Sequence, residues 1–210
     1  MIGKIDLSDR EIHLEAAAEA AAANESLLLE LLQGIAPENK KTQLRYNCFR
    51  ILEIVSARHP DVLVPHWNFL VDLLKSRYDP SRYSALHIIA NMVTAGKDGG
   101  FEAIFDLYFD LLEEDNLPLV AHLAGLAGKI ALAKPRMQSR ITEKLLSIDQ
   151  THFNNERNEL IKGYAIESFD EYFEYAPDKE IIAAFVKDQI HSSSPKTRKK
   201  AADFLSKWSA

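Results

Sequence analysis

The sequence predicts an all-α protein built from successive helical hairpins, and three observations predict it. Helix-length apolar segments recur at a nearly constant spacing. The small residues Cys48, Ala85, Ala124, Gly163 and Ala201, each one to two turns into such a segment, stand 37, 39, 39 and 38 residues apart. Strand-type alternation and hairpin dipeptides are almost absent. Caps and helix breakers fall on the same beat as the small residues. A period near this value belongs to stacked helix pairs, each burying its apolar face against its neighbours.

The elements follow in order. A first helix is expected from Ser8, where Ser8-x-x-Glu11 has the form of a capping box, through the alanine cluster to about residue 23. Asn24 then caps a short helix, ESLLLELLQG, that Gly34 and Pro37 are expected to end. From there two kinds of helix alternate. First helices carry large apolar residues such as Leu63/Trp67/Leu70/Leu74 and Ile104/Phe105/Tyr108/Leu112. Second helices carry the small anchors and span roughly 38–58, 80–96, 118–134, 155–176 and 195–208. Asp79-Pro80 and Ser194-Pro195 read as an N-cap with a first-turn proline, and Asn116 precedes Leu117-Pro118 in a looser version. Lys97-Asp98-Gly99-Gly100 reads as a turn. The chain is thus one domain, 1–210, with a capping helix at 1–23 and about five hairpins at 24–59, 60–97, 98–134, 135–176 and 177–210.

The anchors are small because the closest approach of two packed helices admits only small side chains. Positions three, four and seven beyond each anchor are expected to be buried as well. They read Ile51/Leu52/Val55, Ile88/Ile89/Met92, Ala127/Gly128/Ala131, Ile166/Glu167/Asp170 and Phe204/Leu205/Trp208. The fourth set breaks the pattern, which predicts a rotated helix with Tyr164, Phe169 and Phe173 facing inward.

Composition narrows the functional classes. Hydrophobic content of 47% is ample for burial, and a formal charge of −6 argues against a general nucleic-acid binder. The lone Cys48 has no intramolecular disulfide partner and reads as a small buried hydrophobe. Charges at Lys4, Asp6, Asp9, Arg10 and Glu11 interrupt any signal-peptide core. No apolar run approaches the ~20 residues that cross a bilayer, so no membrane role and a cytoplasmic location are expected.

Asp79-Pro80-x-Arg82-x-x-Ala85 and Ser194-Pro195-x-x-Arg198-x-x-Ala201 are similar to the start of the second helix in HEAT repeats, where Pro, Arg and Ala recur. Arg45-x-x-Cys48 is a degenerate copy, and Pro118-x-x-Ala121-x-x-Ala124 keeps the proline without the arginine. The chain therefore resembles the HEAT-repeat α-solenoids over about residues 24–208, with armadillo arrays as near relatives. That resemblance implies a right-handed α-α superhelix whose second helices line the concave side. It also implies a scaffold or adaptor that holds another protein. Fold by itself does not establish function.

Two residues before each anchor, side chains are expected to point toward the concave surface: Tyr46, Tyr83, His122, Ile161 and Lys199. Two after it stand Arg50, His87, Leu126, Ala165 and Asp203, and three before it stand Arg45, Arg82, Ala121, Leu160 and Arg198. Tyrosine and arginine are enriched at interface hot spots. Tyr46, Arg50, Tyr83, His87 and His122 lead the partner-binding candidates, joined by Arg45, Arg82 and Lys199. The competing reading packs the tyrosines between units and turns the arginines onto adjacent loops.

Charge is unevenly placed. Glu102, Asp106, Asp110, Glu113, Glu114 and Asp115 are expected on one helix without compensating Lys or Arg. The last helix carries Lys196, Arg198, Lys199, Lys200 and Lys207. With Arg45, Arg50 and Arg82, those cations supply the alternative reading, a nucleic-acid-binding array. A DNA-glycosylase-like variant needs an aromatic beside an acidic residue in a cleft, and neither Trp67 nor Trp208 is expected in that setting. The seven histidines form no HExxH pattern and no ligand spacing with cysteine, and no glycine-rich phosphate loop or G-x-S-x-G elbow is present. No catalytic, metal or cofactor site is expected. The leading reading is a non-catalytic protein-interaction scaffold, with self-association through the array ends open.

Overall fold

In a computed structural model, residues 5–150 and 155–208 are described. Eleven α-helices occur among them, and no strand. The chain divides into two compact units, Met1–Ile104 and Phe105–Ala210.

In the first unit, α1 (Leu14–Ala22) packs on α2 (Glu25–Ile35) and α3 (Thr42–Arg58). Helix α3 packs in turn on α5 (Asp79–Thr94), and α4 (Trp67–Leu74) lies against α5. The boundary between the two units falls within helix α6 (Phe101–Phe109). In the second unit, α7 (Leu117–Ala133) runs along α9 (Asn155–Tyr172), which packs on α11 (Pro195–Trp208). Helix α8 (Gln138–Leu146) touches α7 and α9, while α10 (Lys179–Asp188) lies against α11.

Two helix starts and one helix end differ from the sequence reading. Helix α1 begins at Leu14, because Asp6 and Asp9 capture the amides of Ser8 and Glu11 in tight turns. The Asn47 side chain then donates to the carbonyls of Leu7 and Asp9 and ties the segment to α3. That outcompetes the capping box, since short polar side chains offer the backbone an alternative to helix. Helix α2 passes through Gly34 to Ile35. A Cβ on Gly34 would stand 2.2 Å from Cys48 Sγ, so this glycine admits α3 and ends nothing. Helix α5 starts at Asp79 itself, whose carboxylate accepts from Arg82 Nη2 at 2.6 Å. Asn24, Asn116 and Ser194 cap as expected, each accepting from the amide three residues on.

The turn at Lys97-Asp98-Gly99-Gly100 also forms. Asp98 accepts from the amides of Gly100 and Phe101, and Gly100 sits at φ 103°, in the left-handed region that favours glycine. Gly99 lies under the Trp67 indole, where a Cβ would come within 2.4 Å of the ring.

All five anchors are buried. So are Ile51/Leu52/Val55, Ile88/Ile89/Met92 and Ala127/Gly128/Ala131. On α9, Glu167 is exposed while Phe169 is buried and Tyr164 half-buried, and Phe173 in the 3₁₀ turn just after it is buried too, the rotation that the broken pattern predicts. On α11, Phe204 is buried but Leu205 and Trp208 are only half-buried. The long link before α9 falls largely at 151–154, outside the described residues, as does His152.

Hydroxyl and amide side chains fasten α5, α9 and α11 to earlier helices. Ser81 Oγ donates to Ile35 O, Asn91 Nδ2 to Glu53 O, and Thr197 Oγ1 to Glu159 O. Ser168 Oγ donates to Ala124 O and accepts from Gly128 N at 3.0 Å, the pair an i→i−4 helix bond joins. There α7 and α9 are nearly in backbone contact: a Cβ on Gly128 would stand 2.6 Å from Ser168 O.

Gly128→Ala is expected to push α7 from α9 and to destabilise by about 1–3 kcal/mol, the usual cost of overpacking. Gly125→Ala meets only an ordinary contact at 3.5 Å from Tyr164. It is expected to be neutral or stabilising by up to about 1 kcal/mol, the helix propensity gain of Ala over Gly. Denaturant unfolding of the two variants separates these outcomes. Burial, with a smaller contribution from Glu30, pushes the Cys48 thiol up to about 12. The folded protein is expected to resist a disulfide-exchange reagent at neutral pH and to react fully once denatured.

Candidate functional site

Four candidates converge on the face made by α3 and α5. Tyr46 and Arg50 stand one turn apart on α3, and Tyr83 and His87 stand at the same spacing on α5. Arg50 Nη1 donates to the Tyr46 hydroxyl at 3.4 Å, and its Nε meets Glu53 Oε2 at 3.2 Å. Glu53 Oε1 in turn lies 3.4 Å from His87 Nδ1. Phe49 packs edge-on against Tyr83 and His87, with ring centroids 5.4 and 5.7 Å apart, and the Tyr83 and His87 rings lie 4.7 Å apart. The result is a packed aromatic cluster, with Phe49 buried beneath the half-buried Tyr83 and His87, and Arg50 and Glu53 at its edge. Tyr46 is its most accessible member at 52% exposure.

Phe49 and Glu53 were not among the expected site residues, although the sequence carries a signal for both. They stand three and seven positions beyond Tyr46, the spacing that returns to one helix face. Burial first, and the Glu53 carboxylate second, raise the Tyr83 hydroxyl above its ordinary value, while Arg50 pulls it back.

Arg45 and Arg82 do not share that open surface. Arg45 is 6% exposed, lies over the Tyr78 ring at 4.5 Å and donates from Nη1 to the Tyr78 hydroxyl at 2.6 Å. Lys40 lies over the same ring at 4.6 Å. Arg82 is likewise buried and pairs with Asp79. A helical side chain leans toward the N-terminus of its helix, and from three residues before the anchor it reaches the preceding turn. His122 on α7 and Lys199 on α11 are exposed in the second unit. Ile161 and Ala165, expected to face outward, are both fully buried by the rotation of α9.

The charged segments also have partners. The acidic stretch leaves the helix at Phe109 and continues as a 3₁₀ turn, Asp110–Glu113. Its compensating cations come from α8: Arg140 reaches Asp106 at 3.1 Å, and Lys144 reaches Asp110 at 2.6 Å. On α11, Arg198 donates to the carbonyls of Ser192 and Ser193, Lys200 pairs with Glu167, and Lys207 pairs with Asp170. Trp208 stands beside an acidic residue, donating from Nε1 to Asp170 at 2.6 Å. That carboxylate is already held by Lys207, so the contact fastens α11 to α9. Among the described residues, no three His, Cys, Asp or Glu side chains are placed to hold a metal ion, and no helix is long and apolar enough to cross a membrane.

No protein-family model matches the sequence, and no curated protein matches it significantly. The chain is defined by its architecture, an all-helical protein of successive packed helices with an aromatic surface on α3 and α5.

The difference in phenolate absorbance between wild type and Tyr83→Phe is expected to titrate above the ordinary tyrosine value of about 10. Glu53→Gln is expected to bring it partway back. The folded state holds this proton more tightly than the unfolded chain, so the associated stability is intact below the ordinary value and lost as pH rises through the folded one.

Proposed function

We propose that this protein is a non-catalytic scaffold or adaptor, a HEAT-type array that holds a protein partner on the face of its second helices. The observation that carries the reading is the surface formed by Tyr46, Arg50, Tyr83 and His87 over the buried Phe49 ring. Interface hot spots are rich in Tyr and Arg because both combine a large contact area with polar capability at the tip. The rings of Phe49, Tyr83 and His87 already pack on one another, so they lose little freedom when a partner covers them. Tyr46 stands clear of that group and is the natural anchor residue. The recurring Pro, Arg and Ala at the second-helix starts support the HEAT-type assignment, with the second helices on the concave side of a right-handed superhelix. A cytoplasmic setting belongs to the same reading, as does self-association through the array ends, where Ala16 on α1 and Ala23 just after it remain exposed.

The test places a photo-crosslinking amino acid at position 46, or at Lys187 on α10 as a control, and captures partners from source-cell lysate. A protein cross-linked from position 46, absent from the control and lost with Tyr83→Ala, is the expected result. Equal yields from both positions, or indifference to Tyr83→Ala, would overturn the assignment.

A further inference from the structure

The second unit contains a groove that the aromatic surface does not involve. It lies between α8 and the start of α10, with a volume of about 510 Å³. That lies in the roughly 300–1,000 Å³ range of small-molecule and side-chain pockets. Leu146 and Ile181 form apolar walls, and Ile181 is 57% exposed at the rim. Thr142 forms part of the floor, its hydroxyl held by the Tyr172 hydroxyl at 2.7 Å. Asp178 and Glu143 contribute carboxylates, and Ser139 and Ser147 contribute hydroxyls.

Asp178 is the informative residue. It occupies the N-cap of α10, where an aspartate ordinarily accepts from a backbone amide, yet its side chain makes no capping bond. Its Oδ2 is buried and has no hydrogen-bond partner among the described residues. A carboxylate oxygen shielded from water and left unpaired is costly, and such groups call for an explanation. The nearby cations of α8 are committed elsewhere, Arg140 to Asp106 and Lys144 to Asp110. No lining residue of the groove is cationic. Burial raises the Tyr172 hydroxyl, and the Asp178 carboxylate pushes it the same way, so the negative charge is felt at the groove floor.

We propose that this groove binds an organic cation carried on an aliphatic stem, with the Asp178 carboxylate rotating its unpaired oxygen into the groove to meet the charged head and Leu146 and Ile181 holding the stem. A bare metal ion uses neither apolar wall. An anion meets two carboxylates. A guanidinium or ammonium on a short chain satisfies both halves of the site, since such side chains bury the stem while the head finds polar partners. The same chemistry is offered by a free alkylamine and by an arginine of another protein.

The probe is agmatine, a guanidinium on a four-carbon stem, titrated into the ¹⁵N-labelled full chain. Its ureido analogue, N-carbamoylputrescine, is the neutral control. Saturable amide shifts confined to residues 139–147 and 178–182 are expected with agmatine and not with the control. Asp178→Asn keeps a good N-cap residue and is expected to weaken binding about tenfold or more, as loss of one partner in a desolvated charge pair does. Glu143→Gln, at an exposed position, is expected to weaken it less and guards against a folding defect in the first variant. An N-acetylated, C-amidated Gly-Arg-Gly peptide binding more tightly than agmatine assigns the site to a protein side chain; the reverse order assigns it to a free amine. Absence of saturable shifts, equal binding of the neutral analogue, or unchanged affinity in Asp178→Asn overturns the proposal.

Discussion

Two helices that lie nearly backbone to backbone must leave out their side chains where they touch. At Gly128 and Ser168 there is no room for another carbon, and the Ser168 hydroxyl takes both groups of one helical hydrogen bond on α7. The same constraint recurs with different residues, at Gly34 against Cys48 and at Gly163 against Thr197. Small residues let the helices approach, and a short hydroxyl or amide then reaches a main-chain carbonyl of the neighbour. The hydrogen bond adds direction to a contact that apolar packing alone leaves free to slide, and it satisfies polar groups that the approach removes from water.

That constraint also positions the aromatic surface. Helices α3 and α5 are held by Ile51, Leu52 and Val55 on one side and by Ala85, Ile88 and Ile89 on the other, all fully buried. With those faces committed inward, Tyr46, Arg50, Tyr83 and His87 fall on the opposite side of the contact. Asn91 reaching Glu53 O and Ser56 Oγ locks the two helices at the far end of the same seam. The surface therefore rests on a rigid pair of helices, the arrangement that keeps binding groups in place.

Charge in the second unit follows a different logic. Asp106 and Asp110 look unpaired along their own segment, yet Arg140 and Lys144 arrive from α8, 34 residues later. Such exposed pairs add little stability individually. Their effect is to remove the α8 cations from the other side of that helix, leaving Glu143 and Asp178 in the groove without a positive neighbour in its lining.

Much of this was legible along the chain. Helix periodicity, the caps at Asn24, Asn116 and Ser194, and the burial of the anchors follow from local chemistry and from a spacing that repeats, and both are written in residue order. The irregular α9 was legible too, because Glu167 and Asp170 interrupt an apolar stripe. What depended on tertiary structure involved competition between partners distant in sequence. Ser8 and Glu11 could have capped a helix, but Asn47 claims that segment from 38 and 40 residues away. Gly34 reads as a helix end and serves as a contact because Cys48 lies against it. Arg45 carries the same charge as Arg50, yet only packing decided that one would lie buried on Tyr78 while the other joins Tyr46 and Glu53. Sequence sets which face of a helix turns inward; the neighbour that meets that face decides what each polar side chain can reach.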